Sequence, residues 1–342
     1  MQTKLYPLRA AVLAAASVVG HAEAAGPLGG CFDHCDWEED RFGQQTWEKA
    51  ESEMQRRALS LAIDKSGLAL ADVDLLFAGD LLNQCIGSAY GLLEFGIPYL
   101  GLYGACSTAA EGLFLASLSV SGGGAQTAAA VTSSHYCAAE RQYRFPIEYG
   151  GQRPPTAQWT VTGSGAFIVM QADCAPAGCV QIIEGMPGRV VEKGIKDANN
   201  MGAAMAPAAI DTLTRYFDAT GKTAADFDLI LTGDLGREGS AILCELMDAQ
   251  GTPLGDRHAD CGVLIYDLKE QDKHAGGSGC GCSAVVLAGH ILPKLARGEL
   301  RNVLFMATGA MMSPDAVKQG QAIPGVAHLL HLRGAEKGGK GV

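Results

Sequence analysis

The stretch DVDLLFAGDL at residues 72–81 returns as DFDLILTGDL at residues 226–235, with Asp, Asp, Leu, Gly, Asp and Leu all in step. Each copy is a short apolar run closed by Gly-Asp, the pattern of a buried strand that ends in a turn. The likeness continues. CSTAAEGLFLASL from Cys106 lines up with CSAVVLAGHILPKL from Cys282, and QTAAAVTSS at 126–134 lines up with the stretch that begins at Asn302. The first match has an offset of 154 (72 to 226) and the later two an offset of 176 (106 to 282), so the second copy carries 22 extra residues. GDRHADCGVLIYDLKEQDKH at 255–274 is the natural place for them. A unit written twice predicts two halves with one topology.

Within the first copy the signals alternate. Residues 45–66 read as a helix, with Trp47, Ala50, Met54, Ala58, Leu61 and Ala62 at helical spacing. Strands are predicted at 73–79, 99–103, 126–133 and, after a long loop, 161–170, with helices at 87–95 and 107–121. Such alternation implies right-handed βαβ crossovers and a mostly parallel sheet covered on both faces. The expected fold class is therefore α/β. Its two pseudo-twofold halves span 1–173 and 174–342 and meet near CAPAGC at 174–179.

The 342 residues are 48% hydrophobic but only 6% aromatic, which predicts a core of close-packed Ala, Val and Leu. A net charge of −11 without a dense Lys/Arg stretch argues against nucleic acid as a partner. Eleven cysteines are scattered from Cys31 to Cys282, unlike the framework of a small secreted domain. CFDHC (Cys31, His34, Cys35) and CGC (Cys280, Cys282) come nearest to metal-ligand spacing, yet neither is a C-x-x-C pair, so no metal is expected. The thiols read as reduced, which places the chain inside the cell. Lys4 and Arg9 followed by AAVLAAASVVG and HAEAAG mimic a signal peptide. The run is short for one, and a first β-strand is the reading favoured here. No run approaches the ~18 apolar residues of a membrane-spanning helix.

Chemistry concentrates at LYGACSTAAEG, residues 102–112. In a βαβ frame Cys106 sits where a strand ends and a helix begins, with Gly104 and Ala105 small enough for a tight elbow. The N–H groups of Ser107, Thr108 and Ala109 are expected to open toward this site, gathering anions and lowering the thiol's pKa.

A duplicated βαβ unit with a cysteine at the central helix start resembles the thiolase and ketoacyl-synthase superfamily. More narrowly, GPLGGCFD, AGDLLNQ, GACST, TSSHYCAAERQYRFPIEYGGQRP, VTGSGA, MGAAMAPAA, LTGDL, GGSGCGCSA and ATGAMMSP are similar to the stage V sporulation protein AD family. The likeness runs from about residue 10 to 332. It implies a thiolase-like fold of mostly parallel five-stranded sheets and supports the strand reading of ASVVG. It also implies binding of dipicolinate (pyridine-2,6-dicarboxylate) for uptake into the developing spore. The partners would be other stage V sporulation membrane proteins, and the location the periphery of the spore inner membrane, with no signal peptide or transmembrane helix. The resemblance further implies a homodimer, paired through AQTAAAVTS.

A working thiolase needs second-half histidine and cysteine motifs. The corresponding loops here read GGSGCGCSA and ATGAMMSP, without GHP and without CxGGG. The expected function is thus a non-catalytic binding site in a vestigial cleft, needing no cofactor, with the ligand free or as its calcium chelate. Its expected residues are Cys106, Ser107, Thr108, His135, Asp80, Asn83 and Arg144, with Arg141 and Gln84 nearby. The twin of Asp80, Asp234, suggests a structural role shared by both halves. Two rivals stand beside this reading: an acyltransferase or ketoacyl-synthase-like enzyme using Cys106 on a thioester, and a scaffold with an empty pocket.

Overall fold

The computed structural model describes residues 4–143 and 153–334. The first five principal strands are β1 (Tyr6–Val19), β2 (Leu75–Gly79), β3 (Tyr99–Leu102), β4 (Thr127–Ser134) and β5 (Gly163–Gln171). The second five are β6 (Val180–Met186), β7 (Leu229–Thr232), β8 (His258–Asp260), β9 (Asn302–Ala310) and β10 (Gly325–Arg333). They lie side by side in the order β8-β7-β9-β10-β6-β1-β5-β4-β2-β3. Read from either edge, the fifth-place strands β1 and β6 meet in the middle, so both sets of five have the same internal order. In each set only the last strand, β5 or β10, runs against the other four. The sheet is mixed but mostly parallel within each set, as the repeat requires.

The extra residues of the second copy are divided by β8. Leu76 lies beside Tyr99 and Ile230 beside His258, steps of 23 and 28 residues, so five precede β8. Tyr99 to Cys106 is 7 residues and His258 to Cys282 is 24, so the other 17 follow β8. That segment builds the walls behind the site described below.

The apolar run at the N-terminus is β1, the central strand, pairing β5 on one side and β6 on the other. Its alanines are needed because helices pack on both faces. Helix α1 (Trp47–Ser66) buries Ala50, Met54, Ala58, Leu59 and Ala62 against β1, β2, β4 and β5. Its N-cap is Thr46, whose hydroxyl accepts from Lys49 N, and it ends on Gly67 in the left-handed region at φ +70°. Helix α2 (Ile86–Gly91) is shorter than the sequence pattern suggests, because Leu92 leaves the helix before a 3₁₀ turn at Leu93–Phe95. Helix α3 (Thr108–Ser121), after Cys106, is enclosed among Phe77, Phe167, Ala307 and Leu330 in the largest core. Its second-half counterpart is α4 (Cys280–Val286), continued by a π turn at Leu287–Ile291.

Strand β4, expected to pair across a dimer axis, lies between β2 and β5 with every residue buried. Its small side chains serve helix packing, and both its edges are taken. The unpaired edge of this half is β3, which has β2 alone as neighbour among the described residues.

Candidate functional site

The two halves touch at Cys106. A 3₁₀ turn at Ala105–Ser107 joins β3 to α3, and Ala105 takes φ +51° to make it. That left-handed conformation costs a non-glycine residue roughly 1–2 kcal/mol, so the surrounding packing holds it. Part of that packing is β9. A Cβ on Gly309 would stand 2.7 Å from Gly104 O and 3.1 Å from Ser107 N, so a side chain there would push the elbow off the strand.

The turn consumes two of the three donors that the sequence reading assigned to a ligand. Ser107 N donates to Gly104 O at 3.2 Å, and Thr108 N donates to Ala105 O. The hydroxyls also fold back: Ser107 Oγ donates to Gly104 O at 2.6 Å and Thr108 Oγ1 to Ala105 O at 2.7 Å. Both side chains are fully buried. They build the elbow and do not present a row of open N–H groups.

What faces Cys106 is a carboxyl. Asp234, at the end of β7, hydrogen-bonds the Cys106 thiol, takes Gly279 N at 3.0 Å and takes Thr308 Oγ1 at 2.8 Å. Burial pushes the Asp234 carboxyl up to about 7, against the lowering effect of those donors. The Cys106 thiol is likewise held well above its ordinary value, first by burial and then by Asp234. This reverses the expected activation. The short turn exposes no free helix start, and the nearest strong group is acidic, so Cys106 stays a neutral thiol that donates. Its repeat partner Cys282 is fully buried, with its thiol on Gly233 O at 3.6 Å.

Asp234 and Asp80 do not share a role. Asp80 takes Leu82 N at 2.8 Å and Ser88 N and Oγ at 2.7 and 2.6 Å, which closes the turn into α2. In the second half that capping task falls to Asp260, which accepts from Leu235 N and Gly236 N at 2.8 and 3.0 Å. Asp234 is thereby released toward Cys106. The repeat made Asp234 visible in the sequence, but as a structural twin; its facing the thiol depends on Asp260, at the end of β8, taking over the cap.

Cys106 opens on a cleft lined also by Leu81, Glu140, Tyr143, Thr160, Met201, Ser278 and Met312. The space measures about 50 Å³. A water needs roughly 10–15 Å³ and a typical ligand site about 300–1,000 Å³, so this cleft is nearly closed. Two of its polar groups, Thr160 and Ser278, come from a two-stranded ladder in which Trp159 and Thr160 pair Gly277 and Ser278, and Glu140 comes from the helix Tyr136–Tyr143. Thr160 Oγ1 donates to Glu140 Oε1 at 3.0 Å. Among the described residues the walls carry this acidic side chain and no basic one. No group of three or more His, Cys, Asp or Glu poised for a metal occurs among the described residues.

Of the expected site residues that are described, Cys106 alone lines the cleft. His135 is fully buried elsewhere: its Nε2 bonds Asp40 O at 2.8 Å, its Nδ1 accepts from Cys137 N at 3.2 Å, and its ring packs on Trp47. Following β4 directly, it is carried behind the sheet edge toward α1. Asn83 is exposed, and its Oδ1 accepts from Tyr103 Oη at 3.4 Å and Gln142 Nε2 at 3.3 Å. It reaches the cleft only through Tyr143, whose hydroxyl meets that of Tyr103 at 2.9 Å. Gln84 shapes the same turn with φ +59°. Arg144 and the Arg141 side chain lie outside the described residues. Glu140, Tyr143, Met201 and Ser278 are not among the expected residues, although Glu140 and Tyr143 lie in ERQY and Ser278 in GGSGC; alternation in the short ladder is a signal for Ser278 alone.

Buried acids set a pH dependence of stability. Glu23 and Asp234 are raised to about 7 and Asp260 to about 6, each chiefly by burial. A folded-state pKa above the unfolded one favours folding below the unfolded value, and the gain disappears as pH rises through the folded value. Thermal melts at constant ionic strength are therefore expected to show a lower melting temperature at about pH 8 than at about pH 5, and Glu23→Gln to flatten that slope.

Comparisons agree with the geometry. The chain matches the stage V sporulation protein AD family over residues 1–333. It is 46% identical over 317 residues to Stage V sporulation protein AD of Bacillus subtilis (strain 168), covering 93% of this chain and 92% of that one. A Xanthomonas campestris OleA variant solved with cerulenin superposes with a TM-score of 0.61 at 11% identity, over 96% and 97% of the two chains. A 3-oxoacyl-(acyl carrier protein) synthase III, FabH, from Xanthomonas oryzae gives 0.59 at 12% identity, over 96% and 100%. These structures show a shared thiolase-like fold.

Proposed function

The chain belongs to the stage V sporulation protein AD family, and on that premise we propose that it binds dipicolinate non-catalytically at the Cys106 cleft for uptake into the developing spore. The observation that carries the reading is the Cys106–Asp234 pair. A thiol held well above its ordinary pKa by burial and by the neighbouring Asp234 carboxyl, with no histidine among the described cleft walls, has no imidazole to activate it as a thioester nucleophile. The fold's elbow is kept while the activation is replaced. The family supports dipicolinate as ligand, and the walls favour a flat ring: Leu81, Tyr143, Met201 and Met312 are apolar, whereas Thr160, Ser278 and Glu140 offer polar edges. Admission requires Tyr143 and Met312 to swing aside. The acidic wall at Glu140 favours the calcium chelate over the free dianion, because the metal cancels the ligand's charge.

The rival acyltransferase reading separates cleanly in one assay. Incubation with a radiolabelled acyl-CoA is expected to leave the chain unlabelled and to give no condensation product above background, while equilibrium dialysis retains labelled dipicolinate. Cys106-dependent turnover would sink the proposal. Affinity for dipicolinate is expected to strengthen as pH falls from about 8 to about 6, since protonating Asp234 removes a negative charge beside the ligand. Asp234→Asn should flatten that profile in the same dialysis assay.

The chain acts as a homodimer in this proposal, through the β3 edge instead of β4. Tyr99, Leu100 and Tyr103 on and beside β3 are 39%, 46% and 47% exposed, and Ile86, Tyr90 and Leu93 continue the apolar face. An unpaired apolar edge invites a second strand, and a twofold axis lets the same edge serve both copies. Sedimentation velocity at micromolar concentration is expected to show a dimer, and Leu100→Lys a monomer; a monomeric parent would contradict this. Contact with stage V sporulation membrane proteins, and through them the periphery of the spore inner membrane, rests on family membership. No helix among the described residues is long and apolar enough to cross a membrane.

A further inference from the structure

The motif CFDHC, which the ligand cleft does not use, ends its first turn against the π turn of the second half. Cys31 closes a 3₁₀ turn at Gly29–Cys31 and is one of two thiols, with Cys174, classed as exposed among the eleven. Its Sγ lies 3.6 Å from Nδ1 of His290, 259 residues away in the chain. This approach is built in. A Cβ on Gly289 would stand 2.9 Å from Cys31 O and 3.0 Å from the Phe32 ring, so glycine there lets the turn sit on the helix. The wider π turn at Leu287–Ile291 then carries His290 to the thiol. The following helix, Leu292–Ala296, adds Lys294, and Arg297 follows it. Both cations act on His290, and Arg297 acts on Cys31; Arg297 is also paired with Glu299. The other exposed thiol, Cys174, meets the Gln171 amide oxygen at 4.0 Å, with Asp173 beside it in sequence.

We propose that Cys31 is the reactive thiol of this chain and exchanges with low-molecular-weight disulfides, with His290 as the group that takes its proton. With the ring hydrogen on Nε2, Nδ1 accepts the Cys31 proton as the sulfur attacks one sulfur of the disulfide. A Cys31–S bond forms while the S–S bond breaks. The electron pair leaves on the second sulfur, which takes the proton back from His290 and departs as a thiol. Cys31 is oxidised to a mixed disulfide and half of the small disulfide is reduced. A basic partner, nearby cations and solvent access are the three conditions for such exchange, and Cys31 meets them together. Cys106, at the family's nucleophile position, meets none: it is buried beside a carboxyl. The modification would place a bulky cap over the junction of the two halves, away from the ligand cleft.

The test treats the full folded chain with oxidised glutathione at neutral pH, quenches with acid, and reads adducts by intact mass and peptide mapping. The first adduct is expected on Cys31, and Cys31→Ser should remove it. His290→Gln should slow that adduct on the order of tenfold, less than the ~100-fold low end for a base in an enclosed site because water competes at an exposed thiol, while the slow adduct on Cys174 keeps its rate and reports an intact fold. The Lys294→Gln/Arg297→Gln double variant leaves the imidazole in place and should slow Cys31 less than His290→Gln does. A first adduct on Cys174 or Cys106, an unchanged Cys31 rate in His290→Gln, or a larger effect from the double variant would overturn the assignment.

Discussion

Replacing Cys106 by leucine is expected to weaken dipicolinate binding by at least ~100-fold, about 2.8 kcal/mol, while leaving the chain folded. The cleft has about 50 Å³ of space and Cys106 lines it, so a branched side chain with two more heavy atoms fills it. Leucine also cannot donate to Asp234, which strengthens the block by leaving a carboxyl facing an apolar group. Cys106→Ala removes the same donor but adds room, and is expected to change affinity only a few-fold. The contrast between the two separates occlusion from loss of a hydrogen bond. Equilibrium dialysis with labelled ligand reads both. His135→Ala, by contrast, should act through stability alone, because that ring contacts Asp40 and Trp47 and not the cleft.

The second large effect is on folding. Asp234→Ala is expected to destabilise the chain by about 3 kcal/mol or more, since it strands three donors in a dry interior. Gly279 N, Thr308 Oγ1 and the Cys106 thiol all converge on that carboxyl. They come from the loop before α4, from β9 and from the first-half elbow, so one side chain ties both halves together at the site. Asp234→Asn retains an acceptor and should cost less. Urea unfolding curves at about pH 5, where the acid is neutral in the parent, check both. A loss under ~1 kcal/mol for the alanine variant would mean that water replaces the carboxyl and that the junction is looser than described.

The large-scale plan was legible because it rests on patterns the chain must repeat. A buried strand closed by Gly-Asp, written twice, leads to two sets of five strands with one order, and the offset of the copies located the inserted residues. Alanine-rich runs at 10–20 and 127–131 announced strands with helices on both faces, which β1 and β4 are. The site was less legible. Cys106 stood out because strand, small residues, thiol and helix follow one another in the sequence. Ser107 and Thr108 read as donors only if the helix starts cleanly, and the turn forced by Ala105 at φ +51° used their N–H groups first. Asp80 and Asp234 are indistinguishable in their motifs; Asp260, 26 residues beyond Asp234, takes over the cap and gives them different partners. Such exchanges depend on distances across the fold that no local spacing encodes. Strand β4 was misread as an edge for a related reason: apolar and small is equally the composition of a strand buried at the centre.

The central claim is that the vestigial elbow is a ligand site, and isothermal titration with dipicolinate, with and without calcium, on the parent and Cys106→Leu tests it most directly. The account predicts saturable binding to the parent that tightens with calcium and disappears in the leucine variant. Equal affinity in parent and Cys106→Leu would place the ligand elsewhere and contradict it.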